Sequence, residues 1–167
     1  MKAIVAVDKN WGIGYEGKLL ERIPEDMRFF KQITIGKIVV MGRTTFESLP
    51  GQQPLKDRIN IVLSTSKDFA HSGVTVCRSL EELFELTSQY AAEDIFVAGG
   101  ARVYSELLPY CTEAYVTKFE NAHPADAYFP NLDCCEGWEP VILPESMQHN
   151  DLRYSRVKYV NNKIIMF

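Results

Sequence analysis

The sequence predicts an α/β fold: one domain, with a central, mostly parallel and twisted sheet of about eight strands. About four helices flank that sheet, and its C-terminal edge is antiparallel. Three observations carry this reading. Short, continuous, β-branched runs at residues 3–7, 37–41, 58–63, 74–77 and 94–98 lack alternation, as strands buried on both faces do. Helical patterns follow several of them, which is how parallel neighbours are connected. Beyond about residue 130 strands recur with no helix between them.

The 167 residues suit a single domain, 1–167, with a full core. A composition 46% apolar and 24% charged fits a soluble globular chain and excludes a disordered one. The apolar run around Ile38 to Met41 is far too short to span a bilayer. No charged region followed by a long apolar segment opens the chain, so neither signal nor transit peptide is expected and the setting is cytoplasmic. Cys77, Cys111, Cys134 and Cys135 include no C-x-x-C pair and read as reduced thiols. His71, His123 and His149 are scattered, so no metal site is expected. A net charge of −4 gives no general attraction to nucleic acid or anionic membrane. Any anionic ligand must be held by local arginines.

The first strand, 3–7, runs into Asp8–Lys18, a long polar loop holding Gly12, Gly14 and Gly17. Loops of that length are functional, mobile or simple surface connections. A helix follows at Pro24, whose fixed φ suits a first helical position. Glu25 and Asp26 complement the positive end of its dipole. Ile23, Phe30 and Ile33 share a face with Asp26, at offsets of three, four and seven. A carboxyl inside an apolar stripe is a candidate functional acid, because burial disfavours its charged form. The ordinary alternative is a first-turn acid facing water.

The strand at 37–41 turns through Gly42-Arg43-Thr44-Thr45 into a helix carrying Phe46 and Leu49. A glycine turn opening a helix beside an arginine can cradle a phosphate, though many such turns serve packing alone. The strand at 58–63 ends in Ser64-Thr65-Ser66-Lys67, either a phosphate-binding or a plain polar turn. Arg78 lies just beyond the strand at 74–77, and Ser79-Leu80-Glu81-Glu82 is a capping box for a helix to about residue 92. After 94–98, Gly99-Gly100-Ala101-Arg102 opens a helix through Val103, Leu107 and Leu108. Paired glycines let a ligand approach the backbone, or let helix and sheet pack closely. A strand at 114–119 precedes a loop, 120–131, and strands at 138–143 and 152–160. In the last, apolar Val157 and Tyr159 alternate with polar Arg156 and Lys158. Asn161-Asn162 suits a tight hairpin, with 163–167 returning as a final strand.

Over nearly its full length the chain resembles the dihydrofolate reductases. The resemblance rests on Ile4-Val5-Ala6-Val7-Asp8 with Gly12-Ile13-Gly14, Ile23-Pro24-Glu25-Asp26 with Phe30-Lys31, and the run Val40 to Leu49. It rests equally on Arg58-Ile59-Asn60, Ala98-Gly99-Gly100 with Val103-Tyr104, and Tyr115-Val116-Thr117. Each is unspecific alone; six in family order are not. The resemblance implies NADPH-dependent reduction of 7,8-dihydrofolate to tetrahydrofolate, supporting one-carbon metabolism, in a monomer that also binds antifolates. It implies that Asp26 is the pterin-binding carboxylate, Thr117 its hydroxyl partner, and Phe30 and Leu49 apolar walls. Ile4 and Ala98 match backbone contacts to the pterin edge, and Arg58 matches the grip on the glutamate carboxylate.

On the cofactor side it implies Ala6, Ile13, Gly14 and Leu19 near the nicotinamide and its lid. Gly42, Arg43, Thr44, Thr45, Gly99, Gly100, Arg102 and Val103 match the pyrophosphate region. Ser64 and Thr65, with Arg78, match the 2′-phosphate. The stretch from Asn10 to Glu21 matches a mobile lid. One departure stands out: relatives carry Pro-Trp where this chain has Leu20-Glu21, and Glu21 is expected to point outward. A riboflavin-pathway reductase on the same scaffold and a non-catalytic nucleotide-binding module are the competing readings. Pro24-Glu25-Asp26 with Phe30, and Arg58, argue against the first; the Asp26–Thr117 pair argues against the second.

Overall fold

The computed structural model describes backbone elements over the whole chain and side chains at residues 1–141 and 146–167. The chain enters as β1 (Lys2–Val7), then forms two short strands, β2 (Gly12–Tyr15) and β3 (Lys18–Leu19), before α1 (Pro24–Thr34). β4 (Ile38–Gly42) leads directly into α2 (Arg43–Glu47), and β5 (Ile59–Leu63) and β6 (Val74–Cys77) precede α3 (Leu80–Thr87). β7 (Ile95–Val97) feeds α4 (Ala101–Leu107). The strands β8 (Glu113–Phe119), β9 (Ala127–Tyr128), β10 (Trp138–His149) and β11 (Leu152–Asn161) complete the chain.

Eight strands form one sheet in the order β10-β11-β8-β1-β7-β4-β5-β6. The six from β8 to β6 pair in parallel, while β11 and β10 add antiparallel. The continuous apolar runs are the parallel strands: Val39, Val40, Ile61, Val62 and Val97 are wholly buried. β7 comes late in sequence yet lies between β1 and β4. Its insertion brings three strand-to-helix or strand-to-loop turns side by side, and ligands on such sheets lie at those carboxyl ends.

Alternation within each strand divides the core in two. Met1, Ala3, Val5 and Val7 point to one face, with Leu83, Val103, Leu107, Val157 and Tyr159. The other face holds two smaller clusters: Ile23, Phe119, Leu152 and Tyr154 near the start of α1, and Val39, Met41, Phe46 and Val62 near α2. Trp11 closes the first core, stacked on Phe129 at 6.2 Å and covered by Lys118 Nζ at 4.6 Å.

Three expectations need correction. The C-terminal hairpin turns at Asn150, which takes φ 51, between β10 and β11, rather than at Asn161-Asn162. Residues 163–167 form no strand. Asn161 is buried and spends its amide on Cys111 O at 3.0 Å, and Phe167 stacks on Phe84 with centroids 4.4 Å apart. The third helix stops at Thr87, not near 92, and a separate 3₁₀ turn, Ala92–Asp94, precedes β7. Its cap is only half the expected box. Ser79 Oγ accepts from Glu82 N at 3.2 Å, but the Glu82 carboxylate accepts from Arg78 N, at 2.7 Å.

The expected open loop after β1 is also more ordered than its composition suggests. β3, β2 and β9 form a small second sheet. The buried Asp8 carboxylate holds its root, accepting from Asn10 N and Gly12 N, each at 2.8 Å, and from His123 N at 2.9 Å.

Candidate active site

A cleft of about 890 Å³ runs along the carboxyl ends of β1, β7, β4 and β5. Every residue expected on the cofactor side lines it: Ala6, Ile13, Gly14 and Leu19 at one end, Ser64, Thr65 and Arg78 at the other, and Gly42 to Thr45 with Gly99, Gly100, Arg102 and Val103 between. The glycine turns make this possible because they touch. Gly42 N donates to Gly99 O at 2.8 Å. A Cβ on Gly42 would stand 3.1 Å from Val103 Cγ2, and one on Gly100 3.2 Å from Thr45 Oγ1. Gly99 has φ +111, a conformation side chains rarely adopt, and a Cβ there would meet the Tyr104 ring at 3.1 Å. The turns therefore present bare backbone to the cleft.

Positive charge is supplied by side chains with replaceable partners. Arg43 faces Glu47 at 3.6 Å and Arg102 faces Glu106 at 2.7 Å, both one helical turn on and exposed. Such surface pairs contribute at most about 1 kcal/mol, so an anionic ligand can take either arginine over. Arg78 is used differently: its guanidinium donates to the carbonyls of Ser64, Ser66 and Phe69, the last at 2.7 Å. It braces the 64–69 turn, leaving the Ser64 and Thr65 hydroxyls beside the cleft. An elongated, doubly anionic dinucleotide fits this arrangement of glycine cradle and arginines.

Of the residues expected on the substrate side only Ala98 lines this cleft; Ile4, Asp26, Phe30, Leu49, Arg58 and Thr117 lie outside its lining. α1 lays its first turn against β8 and β11, where Thr117 Oγ1 donates to Asp26 Oδ1 at 2.6 Å and Arg156 Nη2 approaches the same oxygen at 3.3 Å. This corrects the expected setting of Asp26. Ile23 is buried nearby, but the carboxylate meets a hydroxyl and a guanidinium rather than an apolar surround. Phe30, Leu49 and Ala98 pack together on the Val39–Met41–Phe46–Val62 cluster.

Arg58 lies at the other end of α1, donating to Thr34 Oγ1 at 3.2 Å with its guanidinium 5.9 Å from the Phe30 ring centre. Burial holds its pKa below the ordinary value. Asp26 and Thr34 are eight residues apart, so the carboxylate and the arginine are separated by about 12 Å along the helix. Ile4 is buried, and its carbonyl accepts from Tyr104 Oη at 2.6 Å. Burial pushes that phenol's pKa far up, so it stays a donor.

Glu21 does not face open solvent as expected. Its Oε1 lies 3.0 Å from His123 Nε2, off line for a hydrogen bond but within ion-pair reach. The stretch from Asn10 to Glu21 is tied at a second point, where Glu16 N donates to Asp126 Oδ2 at 2.9 Å and Asp126 N to Gly14 O at 3.0 Å. Sequence reasoning missed Arg156, Tyr104 and Asp126. For Arg156 the only signal was its place in the alternation of β11, on the face α1 covers.

The profile of the dihydrofolate reductase family matches residues 1–163. Dihydrofolate reductase of Bacillus subtilis (strain 168) is 39% identical over 130 residues, covering 78% of this chain and 75% of that protein. The enzyme of Neisseria meningitidis serogroup B is 36% identical over 157 residues, covering 94% and 95%. Among solved structures, dihydrofolate reductase from Enterococcus faecalis complexed with NADP(H) and RAB-propyl superposes with a TM-score of 0.85. It is 36% identical, and the match covers 96% of this chain and 95% of that one. A matching profile over almost the whole chain, the shared fold and the dinucleotide-shaped cleft agree: the chain belongs to the dihydrofolate reductase family, as an NADPH-dependent oxidoreductase that reduces dihydrofolate.

Proposed function

We propose that Asp26 is the group that binds and orients the pterin, with Thr117 fixing the carboxylate. The observation that carries this is the 2.6 Å hydrogen bond from Thr117 Oγ1 to Asp26 Oδ1, which fixes a partly buried acid between α1 and β8. Asp26 Oδ2 has no donor among the described residues and is free to accept from the pterin amino group and N3. Phe30 and Leu49 flank the ring system, and Arg58, about one α1 length away, takes the glutamate carboxylate in a two-toothed grip.

NADPH supplies the hydride, delivered to pterin C6. Gly42, Gly99 and Gly100 admit the diphosphate against bare backbone, and Arg43 and Arg102 exchange their glutamates for it. Ser64 and Thr65, braced by Arg78, receive the 2′-phosphate. Ile13, Gly14 and Leu19 cover the nicotinamide end, and their sheet with β9 excludes water when the lid is down. The carboxylate's negative charge favours protonation at N5, with the proton drawn from solvent, so Asp26 acts through its field and its aim.

The chain works as a cytoplasmic monomer in this reading. The carboxylate, its hydroxyl partner and the whole cofactor cradle come from one chain, and all four cysteines are free. Burial pushes the Cys111 thiol up to about 12, keeping it inert. Light scattering at twice the 19.0 kDa chain mass overturns the monomer.

The test of the chemistry is dihydrofolate-dependent oxidation of NADPH, comparing the chain with Asp26→Asn across pH. The expected result at neutral pH is a loss of roughly 10²- to 10³-fold in turnover, the scale of losing one aimed electrostatic group. Turnover indifferent to the substitution removes Asp26 from its role.

A further inference from the structure

Arg156 stands opposite Thr117 in the antiparallel register of β11 on β8. Directly opposed residues project to the same face, so guanidinium and hydroxyl reach α1 side by side. Both meet one atom, Asp26 Oδ1. The guanidinium carbon lies 3.7 Å from the centre of the Phe29 ring, and Phe29 in turn leans on Tyr115 at 6.3 Å. Stacking fixes the plane of the fork before any ligand arrives. The two side chains of the pair are only 23% and 20% exposed, so salt screens their interaction poorly.

Resting on the assignment of Asp26 as the pterin's partner, we propose that Arg156 is a positioning and specificity residue: it fixes the carboxylate through Oδ1 and offsets its charge, so that the site favours neutral pterins over ligands that bind as cations. A hydroxyl from Thr117 supplies aim without charge. The guanidinium supplies both, and the two act in opposite directions on different ligands. A neutral pterin depends on a well-aimed carboxylate. A basic diaminopyrimidine, protonated as it binds, gains from whatever negative charge the site leaves uncompensated.

Other charged groups surround the pair. Glu25 and Arg28 are paired on α1 at 3.3 Å, and His149 of β10 lies 3.2 Å from Glu25. Tyr154 of β11 lies within reach of the charges of Glu25, Arg28, Asp26 and Arg156. Glu21 with His123 stands before the helix. All are common to the variants below, so a difference between variants belongs to position 156.

The experiment compares the full chain with Arg156→Met and Arg156→Lys. It measures KM and kcat for dihydrofolate with NADPH present, and Kd for trimethoprim by fluorescence titration. KM and Kd do not depend on the fraction of folded protein, so their ratio survives a partly unfolded preparation. Arg156→Met is expected to raise KM about tenfold, the scale of one charge-assisted hydrogen bond, while trimethoprim binds more tightly. Arg156→Lys restores the trimethoprim affinity but not KM, because an ammonium brings charge without the planar fork. Parallel weakening of both ligands, or no change in the ratio, overturns the proposal. Asp26→Asn, run alongside, separates the two levels. If it leaves trimethoprim affinity intact, the assignment of Asp26 fails. If it abolishes that affinity while Arg156→Met does nothing, only the role of Arg156 fails.

Discussion

The glycine-lined cleft and the Asp26 cluster are made of different material. On the cofactor side the working surface is backbone: Gly42, Gly99 and Gly100 sit in turns that follow β4 and β7, and the sheet order sets those turns against each other. On the substrate side it is side chain: Asp26 from α1, Thr117 from β8 and Arg156 from β11 converge on one oxygen from positions up to 130 residues apart. The difference teaches how each side should fail. A backbone cradle breaks when any atom is added to it. A side-chain constellation breaks when one member is removed, and the survivors then rearrange.

The sharpest way to break the contrast is Gly99→Ala. At φ +111 an alanine is strained by roughly 1–3 kcal/mol, before its methyl meets Tyr104. The collision also displaces the phenol that donates to Ile4 O. Thermal melts with and without NADPH should show a lower Tm and a much smaller shift on adding cofactor, as linkage requires of weakened binding. The KM for NADPH should rise more than that for dihydrofolate. Equal rises would mean that the two sides are not built separately and would dissolve the comparison.

The same contrast explains what could be read from the sequence. Backbone sites are local in the chain: a β-branched run, a glycine and a helix start lie within a few residues, so all fifteen expected cofactor-side positions do line the cleft. The meeting of Asp26 with Thr117 was legible through resemblance, but the character of the carboxylate's setting was not. Helical spacing showed Ile23 and Phe30 beside Asp26, whereas its polar neighbours come from other strands. Arg156 looked like one more polar member of an alternating strand, because nothing in β11 alone says that α1 covers that face. The C-terminal hairpin failed for a similar reason. Asn161-Asn162 has the right local chemistry for a turn, but the buried Asn161 amide is claimed by Cys111 O, fifty residues away.

A smaller effect sharpens the side-chain half, far from any ligand. Glu113 joins three strands there: Lys2 of β1 at 3.3 Å, Lys158 of β11 at 2.5 Å and Tyr115 of its own β8 at 3.1 Å. Burial pulls its pKa up, but hydrogen bonds from Lys158 and Tyr115 and the charges of both lysines outweigh that, leaving it below the ordinary 4.5. A carboxyl depressed on folding stabilises the protein above its unfolded pKa, and that contribution is lost as pH falls through the folded value. Glu113→Gln should therefore cost about 1 kcal/mol at neutral pH, because the carboxyl's own desolvation offsets part of what its partners contribute. For a chain of this size that is a Tm deficit of about 2–4 °C. The deficit should shrink steadily as melts are taken below the ordinary carboxyl range, because the wild-type loses the same contribution by protonation. A deficit that stays constant with pH would show that Glu113 acts by packing alone, and that cross-strand charge does not hold this edge of the sheet in register.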